Sequence, residues 1–221
     1  MTVTRVKICC MQSYDEAMMA VRYGASAVGM ISAVPSSPWV LAEERIADIV
    51  ARLPPGVASF LVTISQEVAA IIAQQRRCHA NTVQLGDRLT DGTYQELRAA
   101  LPGVRIVQVI HITGEEALQE ALLVAPQVDG LVLDSGSHDP SHKQLGATGQ
   151  THDWHISSRI CRAVEVPVFL AGGLNPTNVA YAIRQVHPYG VDLCTGVRTD
   201  GRLDAEKVRA FFAAVNVANT T

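Results

Sequence analysis

The chain has 221 residues, of which 48% are hydrophobic and 18% are charged, which is enough apolar material for one large core. Its net charge of −3 comes from scattered residues of both signs, without a basic stripe, and this argues against a nucleic-acid partner. No apolar run approaches the roughly 18 residues of a membrane span. The N-terminal residues also lack the apolar core of a signal peptide, so we expect a cytoplasmic protein with no membrane partner.

Short apolar runs alternate with longer amphipathic stretches along the whole chain, as is typical of a parallel sheet buried on both faces. The predicted strands are 3–9, 27–31, 57–62, 82–85, 105–110 and 130–133, and two more lie within 166–207. The helices predicted between them are 13–23, 42–53, 65–76, 92–101, 115–124 and 156–164. Eight units with a period of about 27 residues fit a (β/α)8 TIM barrel. No linker or charge run divides them, so we expect one α/β domain over residues 1–221.

Residues near the first helix carry the signals of a helix start and stop. Ser13 is the predicted N-cap, Glu16 its capping-box partner, and Gly24 the glycine that ends the helix. Five cysteines with no C-x-x-C spacing favour free thiols over a disulfide framework or a zinc site.

The last two predicted strands each end in a small-residue turn. Gly172 and Gly173 follow the seventh strand, and Thr195 and Gly196 follow the eighth. Such turns expose backbone N–H groups, and the helices behind them, one predicted to start with Asn175 as N-cap and Pro176 at its first position, add positive dipole ends. We therefore expect a phosphate site there, where barrels of this kind commonly hold phosphate.

Two titratable groups stand at the carboxyl ends of nonadjacent strands, where barrel enzymes place their active sites. Cys9 follows the first strand and Asp134 ends the sixth, so one could take a proton while the other gives one. Because neighbouring strand residues face opposite ways, only one of Cys9 and Cys10 is expected to point into the site.

Several motifs together resemble one family, the phosphoribosylanthranilate isomerases of tryptophan biosynthesis. They are K-I-C at 7–9, L-D at 133–134, G-A-T-G at 146–149, D-W at 153–154, L-A-G-G-L-N-P-x-N-V at 170–179 and G-V-D-x-x-x-G-V at 190–197. The resemblance implies a (β/α)8 barrel that converts an aminoaldose into an aminoketose, an Amadori rearrangement, on a small phosphoribosyl substrate and without metal or organic cofactor.

The resemblance also assigns residues. Cys9 carries over as the catalytic base and Asp134 as the catalytic acid, while Gly149 joins the four turn residues at the phosphate. The residues expected to bind the rest of the substrate are Lys7, Trp39, Gln84, Thr148 and Asp192. Oligomeric state stays open between monomer and homodimer.

The chain departs from the family pattern at three places. Cys10 stands where the family has glycine, and Gln84-Leu85-Gly86-Asp87 lacks the histidine of the family's Q-L-H-G. Trp39 replaces an arginine that binds the anthranilate carboxylate in the family, so an aromatic plate stands in place of a bidentate cation. His138, His142 and Lys143, in a longer loop, could supply the missing cation.

These departures leave two alternatives open: an isomerase acting on another phosphoribosyl amine or sugar phosphate, and a noncatalytic barrel that binds phosphoribosyl ligands. A metal-dependent epimerase is disfavoured, because Ser32 and Thr63 follow the strands where such enzymes place histidines. His152 and His155 lack a third ligand, so a metal site is not expected there either.

Overall fold

A computed structural model describes residues 3–32, 37–136 and 151–220. Eight parallel strands close into a barrel in sequence order, each hydrogen-bonded to the next, with the eighth paired to the first. They are β1 (Arg5–Ile8), β2 (Ala27–Ile31), β3 (Ala58–Thr63), β4 (Thr82–Leu85), β5 (Arg105–His111), β6 (Gly130–Asp134), β7 (Val168–Leu170) and β8 (Gly190–Leu193). The predicted (β/α)8 architecture is confirmed.

A helix follows each strand and packs on the outside of the barrel. These are α1 (Tyr14–Tyr23), α2 (Glu43–Arg52), α3 (Val68–Cys78), α4 (Tyr94–Ala100), α5 (Glu116–Val124), α6 (Trp154–Ala163), α7 (Val179–Val186) and α8 (Ala205–Asn219). Between β8 and α8 lie a short 3-10 turn, Thr195–Val197, and a small hairpin of β9 (Arg198–Thr199) and β10 (Arg202–Leu203). None of the helices in the described ranges has the length and apolar content to cross a membrane.

Two helices begin three residues later than the sequence pattern predicts. The third helix begins at Val68 rather than 65, because Glu67 pairs with Asp91 in a β-bridge that keeps the preceding chain extended. The seventh begins at Val179, with Asn178 and not Asn175 at its N-cap. Asn175 instead closes a separate turn, in which its side chain accepts the N–H of Thr177 at 2.9 Å.

The caps predicted for the first helix are largely confirmed. The Ser13 hydroxyl accepts the N–H of Glu16, and Gly24 ends the helix in the left-handed conformation with φ of 112°. The Glu16 carboxylate, however, does not complete a capping box. It accepts the N–H of Gln12 and pairs with Arg198, so a buried cation from the far end of the chain takes the partner expected locally.

The barrel interior is built in layers, because alternate strand residues point inward. Its lower part is filled by an apolar cluster that includes Phe60, Val107, Val132 and Phe169. A larger core, with members such as Ile8 and Val191, lies between the sheet and the helices. Polar and thiol side chains occupy the upper interior, so the packed lower barrel forms the base on which the site stands.

Candidate active site

A cavity opens at the carboxyl ends of the strands, with an empty volume of ≈ 840 Å³ that includes the open mouth. Of the residues predicted from sequence, those that line it are Cys9, Trp39, Gln84, Asp134, Gly172, Gly173, Asp192 and Thr195. The fold therefore brings residues from distant parts of the chain, from the first unit to the eighth, to one cleft.

Cys9 and Cys10 both line this cavity, so the expectation that only one of them could do so was wrong. β1 ends at Ile8, and Cys10 has a φ of 65°, in the left-handed region. The strict alternation of strand side chains stops there, which turns the second thiol toward the first. A left-handed position also gives a physical reason for a glycine at this point of the family pattern.

The two thiols have opposite tendencies to ionise. A hydrogen bond from Cys10 does most to lower the pKa of Cys9; burial opposes this, and the positive charge of Lys7 lowers it further. Burial raises the pKa of Cys10 well above its ordinary value, assisted by hydrogen bonds with Cys194 and Cys9. Cys10 therefore remains a thiol that donates, and Cys9 is the thiol that becomes the anion.

Lys7 lies beneath the cavity floor and is fully buried. Its ammonium donates to Asp192 Oδ2 at 2.6 Å, across the register pair that joins β1 to β8. Burial alone would lower the pKa of Lys7, but the charges of Asp192 and Cys9 outweigh it and the pKa is raised. Lys7 is thus a buried cation next to the site, while Asp192 itself reaches the cavity.

Asp134 faces the cavity from the end of β6. Burial raises the pKa of its carboxyl, against the opposing effect of the Ser135 N–H, which donates to Oδ1 at 2.8 Å. His111 is its register partner on β5 and also lines the cavity. The position of His111 at a strand end was the signal in the sequence, although no role was assigned to it.

The two small-residue turns pack directly against each other. Gly172 and Gly173 have φ values of 80° and 62°, which side-chain-bearing residues rarely adopt. A Cβ on Gly196 would clash with the carbonyl oxygen of Leu174, so only glycine permits this approach. Gly196 therefore shapes the pair of turns from behind, while Thr195 reaches the cavity.

Trp39 forms one wall of the cavity and is held from behind by Arg198. The guanidinium lies 4.6 Å from the centre of the indole ring, and the Trp39 carbonyl accepts from the Gln12 side chain at 2.8 Å. Arg198 is 6% exposed and donates to both carboxylate oxygens of Glu16 and to the Cys10 carbonyl. No sequence signal predicts this contact, because 182 positions separate Arg198 from Glu16.

The remaining predicted residues fall elsewhere. Gln84 lines the cavity, and its Oε1 has no hydrogen-bond partner among the described residues. Thr148, Gly149, His138, His142 and Lys143 lie outside the described residues. His152 contacts the Ser157 hydroxyl at 2.7 Å, and within residues 3–32, 37–136 and 151–220 no three His, Cys, Asp or Glu side chains are grouped as a metal site would require.

A closed parallel barrel whose strand ends surround one cavity, lined by a thiol of lowered pKa and a carboxyl of raised pKa, has the architecture of a β/α-barrel enzyme. The family model of N-(5'-phosphoribosyl)anthranilate isomerase matches residues 6–214. This chain belongs to the phosphoribosylanthranilate isomerase family.

Relatives with that name match nearly end to end. The N-(5'-phosphoribosyl)anthranilate isomerase of Haloferax volcanii is 38% identical, over 98% of this chain and 95% of its own length. That of Methanocella arvoryzae is 34% identical, over 97% and 99%. The similarity thus spans the whole barrel, including the regions that depart from the family pattern.

Solved structures agree. The phosphoribosyl anthranilate isomerase of Thermotoga maritima superimposes with a TM-score of 0.80 at 26% identity, covering 97% of this chain and 99% of that one. A second isomerase structure, with reduced 1-(o-carboxyphenylamino)-1-deoxyribulose 5-phosphate bound, has a TM-score of 0.77 at 25% identity and the same coverage.

Proposed function

We propose that this isomerase converts N-(5'-phosphoribosyl)anthranilate into 1-(o-carboxyphenylamino)-1-deoxyribulose 5-phosphate, a step of tryptophan biosynthesis. The observation that carries the proposal is the pairing of Cys9 with Asp134 at one cavity. The pKa of Cys9 is lowered and that of Asp134 is raised, so the two groups are poised as base and acid.

The rearrangement follows from these two groups. Asp134, protonated, donates its proton to the furanose ring oxygen, the C1–O bond breaks, and the nitrogen lone pair forms a C1=N iminium. The iminium acidifies the proton on C2, and the Cys9 thiolate removes it. The C–H electron pair becomes the C1=C2 bond while the C=N pair returns to nitrogen, giving an enolamine. Proton transfer from the C2 hydroxyl to C1 then gives the ketone, so no external redox partner enters.

We assign the phosphate to the turns after β7 and β8. The Gly173 carbonyl accepts from the amides of Asn175 and Asn178 at 3.3 and 3.0 Å, which fixes the peptide that follows it. Because C=O and N–H point opposite ways across a trans peptide, the Leu174 N–H is directed away from those amides. Backbone donors fixed in this way, together with the Thr195 hydroxyl, suit an anion.

The other substrate contacts are proposed on the floor and one wall. Asp192 Oδ1 and Gln84 Oε1 are buried acceptors without a partner among the described residues, and ribose hydroxyls would satisfy them. The indole of Trp39 supplies a flat apolar surface for the anthranilate ring. The described residues that line the cavity include no lysine or arginine, so recognition of the carboxylate differs from the arginine pattern of the family.

The direct test is turnover of N-(5'-phosphoribosyl)anthranilate by the purified chain, measured as the loss of the substrate's anthranilate fluorescence. Two results together would support the proposal. The activity should disappear in Cys9→Ala and in Asp134→Asn, and the parent chain, but neither variant, should restore growth to a tryptophan auxotroph that lacks this step. Failure of the parent chain in both assays would overturn the substrate assignment. Tight binding of the reduced product analogue without turnover would favour a noncatalytic binder instead.

We also propose that the protein works in the cytoplasm. All five cysteines are free, as expected in a reducing compartment. Fractionation of cells expressing the full chain would test this location, and recovery outside the cytoplasmic fraction would contradict it.

A further inference from the structure

We propose that Lys7, Asp192 and Gly29 form a positioning unit beneath the cavity that keeps Cys9 in its thiolate form, with Lys7 acting through Cys9 and without touching the substrate. The inference rests on the proposed role of Cys9 as the base. It adds a role for three residues that do not take part in the reaction steps themselves.

Strand geometry places the three residues around one thiol. Lys7 and Cys9 are two positions apart on the same face of the β1 segment, and Asp192 is the register partner of Lys7 on β8. Gly29 lies on β2, the neighbour on the other side. Cys9 therefore sits at the top of a three-strand groove whose floor carries an ion pair.

Gly29 is what leaves room for the thiol and the ammonium together. A Cβ on Gly29 would lie 2.7 Å from Cys9 Sγ and 3.2 Å from Lys7 Nζ. Both atoms thus border the volume that this glycine leaves empty, which makes them close neighbours. A strand glycine often marks such an approach.

The buried position makes the charge of Lys7 effective. Lys7 is 0% exposed, with its ammonium 2.6 Å from Asp192 Oδ2 and 5.0 Å from the centre of the Phe60 ring. Away from water, a charge acts on its neighbours with little screening. Asp192 keeps Lys7 protonated, and the protonated Lys7 favours the Cys9 anion.

Other titratable groups near Cys9 do not supply this positive charge. Cys10 donates a hydrogen bond to it, Asp192 opposes its ionisation, and Cys194 faces Cys10. Asp134, across the cavity, also feels the charge of Lys7. The guanidinium of Arg198 donates to the Cys10 carbonyl and interacts with Cys10 and Cys194, whereas Lys7 is the cation that lowers the pKa of Cys9. Asp192 and the Cys9 thiolate are the two anions next to Lys7.

The experiment measures the pH dependence of Cys9 alkylation by iodoacetamide in the full chain without substrate, resolved from Cys10 by fragment mass spectrometry. The pair Lys7→Met/Asp192→Asn removes both charges, so that no unpaired ion stays buried. We expect its alkylation curve to move to higher pH, with about tenfold slower reaction at neutral pH. Asp192→Asn alone should also move the curve to higher pH, because the buried Lys7 then loses the anion that does most to keep it protonated.

Gly29→Ala tests the geometry without removing a charge. Its methyl group displaces the thiol or the ammonium, so the curve again moves to higher pH, and kcat falls while KM changes little. Gly190→Ala is the matched control, since its Cβ would lie 2.7 Å from the ring of Phe169 in the lower barrel. It should lower thermal stability without moving the alkylation curve.

Parent-like alkylation curves in both Lys7→Met/Asp192→Asn and Gly29→Ala would overturn the inference. So would a parent-like curve in Asp192→Asn alone, since Asp192 would then not be needed to keep Lys7 protonated. These outcomes are independent of the base assignment, which fails separately if Cys9→Ala keeps full turnover.

Discussion

The two sides of the cavity treat an ionisable group in opposite ways. On the Cys9 side, formed by the ends of β1, β2 and β8, a thiol donor and a buried cation lower the pKa of the thiol. On the Asp134 side, formed by the ends of β5, β6 and β7, burial outweighs the stabilising contacts and raises the pKa of the carboxyl. The roles of base and acid that we propose for Cys9 and Asp134 therefore follow from the surroundings of each group rather than from its residue type.

Removal of either reacting group should have the largest effect on activity, and the two variants test the two sides of the cavity separately. We expect Cys9→Ala and Asp134→Asn each to lower kcat by about 10²–10⁴-fold, the usual contribution of a positioned acid or base. Steady-state kinetics of the purified variants measure this. Binding of the reduced product analogue is the control and should change little, whereas retention of most of kcat by either variant would contradict the assignment.

Arg198 should matter next, because it supports the Cys9 side alone. It pairs with Glu16 through both carboxylate oxygens and donates to the Cys10 carbonyl at 2.5 Å. Arg198→Met leaves a partly buried carboxylate unpaired; because solvent screens part of that charge, we expect a loss of about 2–3 kcal/mol in the free energy of unfolding. Urea denaturation measures this loss, and Arg209→Met, at an exposed pair with Glu206, is the matched control. Equal stability of the two variants would contradict the supporting role of Arg198.

The same pair predicts a pH dependence of stability. Burial would raise the pKa of Glu16, but the hydrogen bond and charge of Arg198 overcome it and the pKa is lowered. Its stabilising contribution is therefore present above its ordinary value of 4.5 and is lost as the pH falls through the lowered pKa. Glu16→Gln should flatten this acid limb in unfolding curves measured between neutral and acid pH; an unchanged limb would contradict the assignment.

Variants at Cys10 distinguish the effect of its hydrogen bond on Cys9 from the effect of the Lys7 charge. Cys10→Gly removes the donor to Cys9 while relaxing the left-handed backbone, and Cys10→Ser keeps a donor. We expect the pKa of Cys9 to rise in the glycine variant and kcat at neutral pH to fall several-fold, with a smaller change for serine. Alkylation curves of Cys9 in the two variants measure the difference. Identical curves would mean that the hydrogen bond does not tune the base.

The sequence was sufficient to predict which strand ends carry the residues of the site, but not the contacts that hold those residues in place. Period-2 alternation puts Lys7 and Cys9 on one face, and the strand-end rule for parallel barrels locates Asp134 and the paired glycine turns. The alternation of side chains does not hold at Cys10, because Cys10 has a positive φ, and a cysteine in the sequence gives no sign of a positive φ. Gly29 was readable in principle, since a glycine inside a strand suggests a close approach.

What could not be read from the sequence depends on contacts between distant segments. The contact of Arg198 with Glu16 and Trp39 joins the eighth unit to the first two, and no local pattern specifies it. The interior ion pair was visible only as two motif residues assigned to substrate binding. In the structure one of them, Lys7, is fully buried beneath the cavity.

Trp39 gives the smallest expected effect and the finest test of the Cys9 side. Its ring lies 4.6 Å from the Arg198 guanidinium, so Trp39→Arg would bring two cations together and is a poor way to restore the family's carboxylate contact. Trp39→Phe keeps an aromatic face, whereas Trp39→Leu removes it. If the ring stacks on anthranilate, KM should rise by about 3–10-fold in the leucine variant and less in the phenylalanine variant, with kcat nearly unchanged. Equal KM values in both variants would mean that Trp39 only covers Arg198, and that the anthranilate ring is held elsewhere in the cavity.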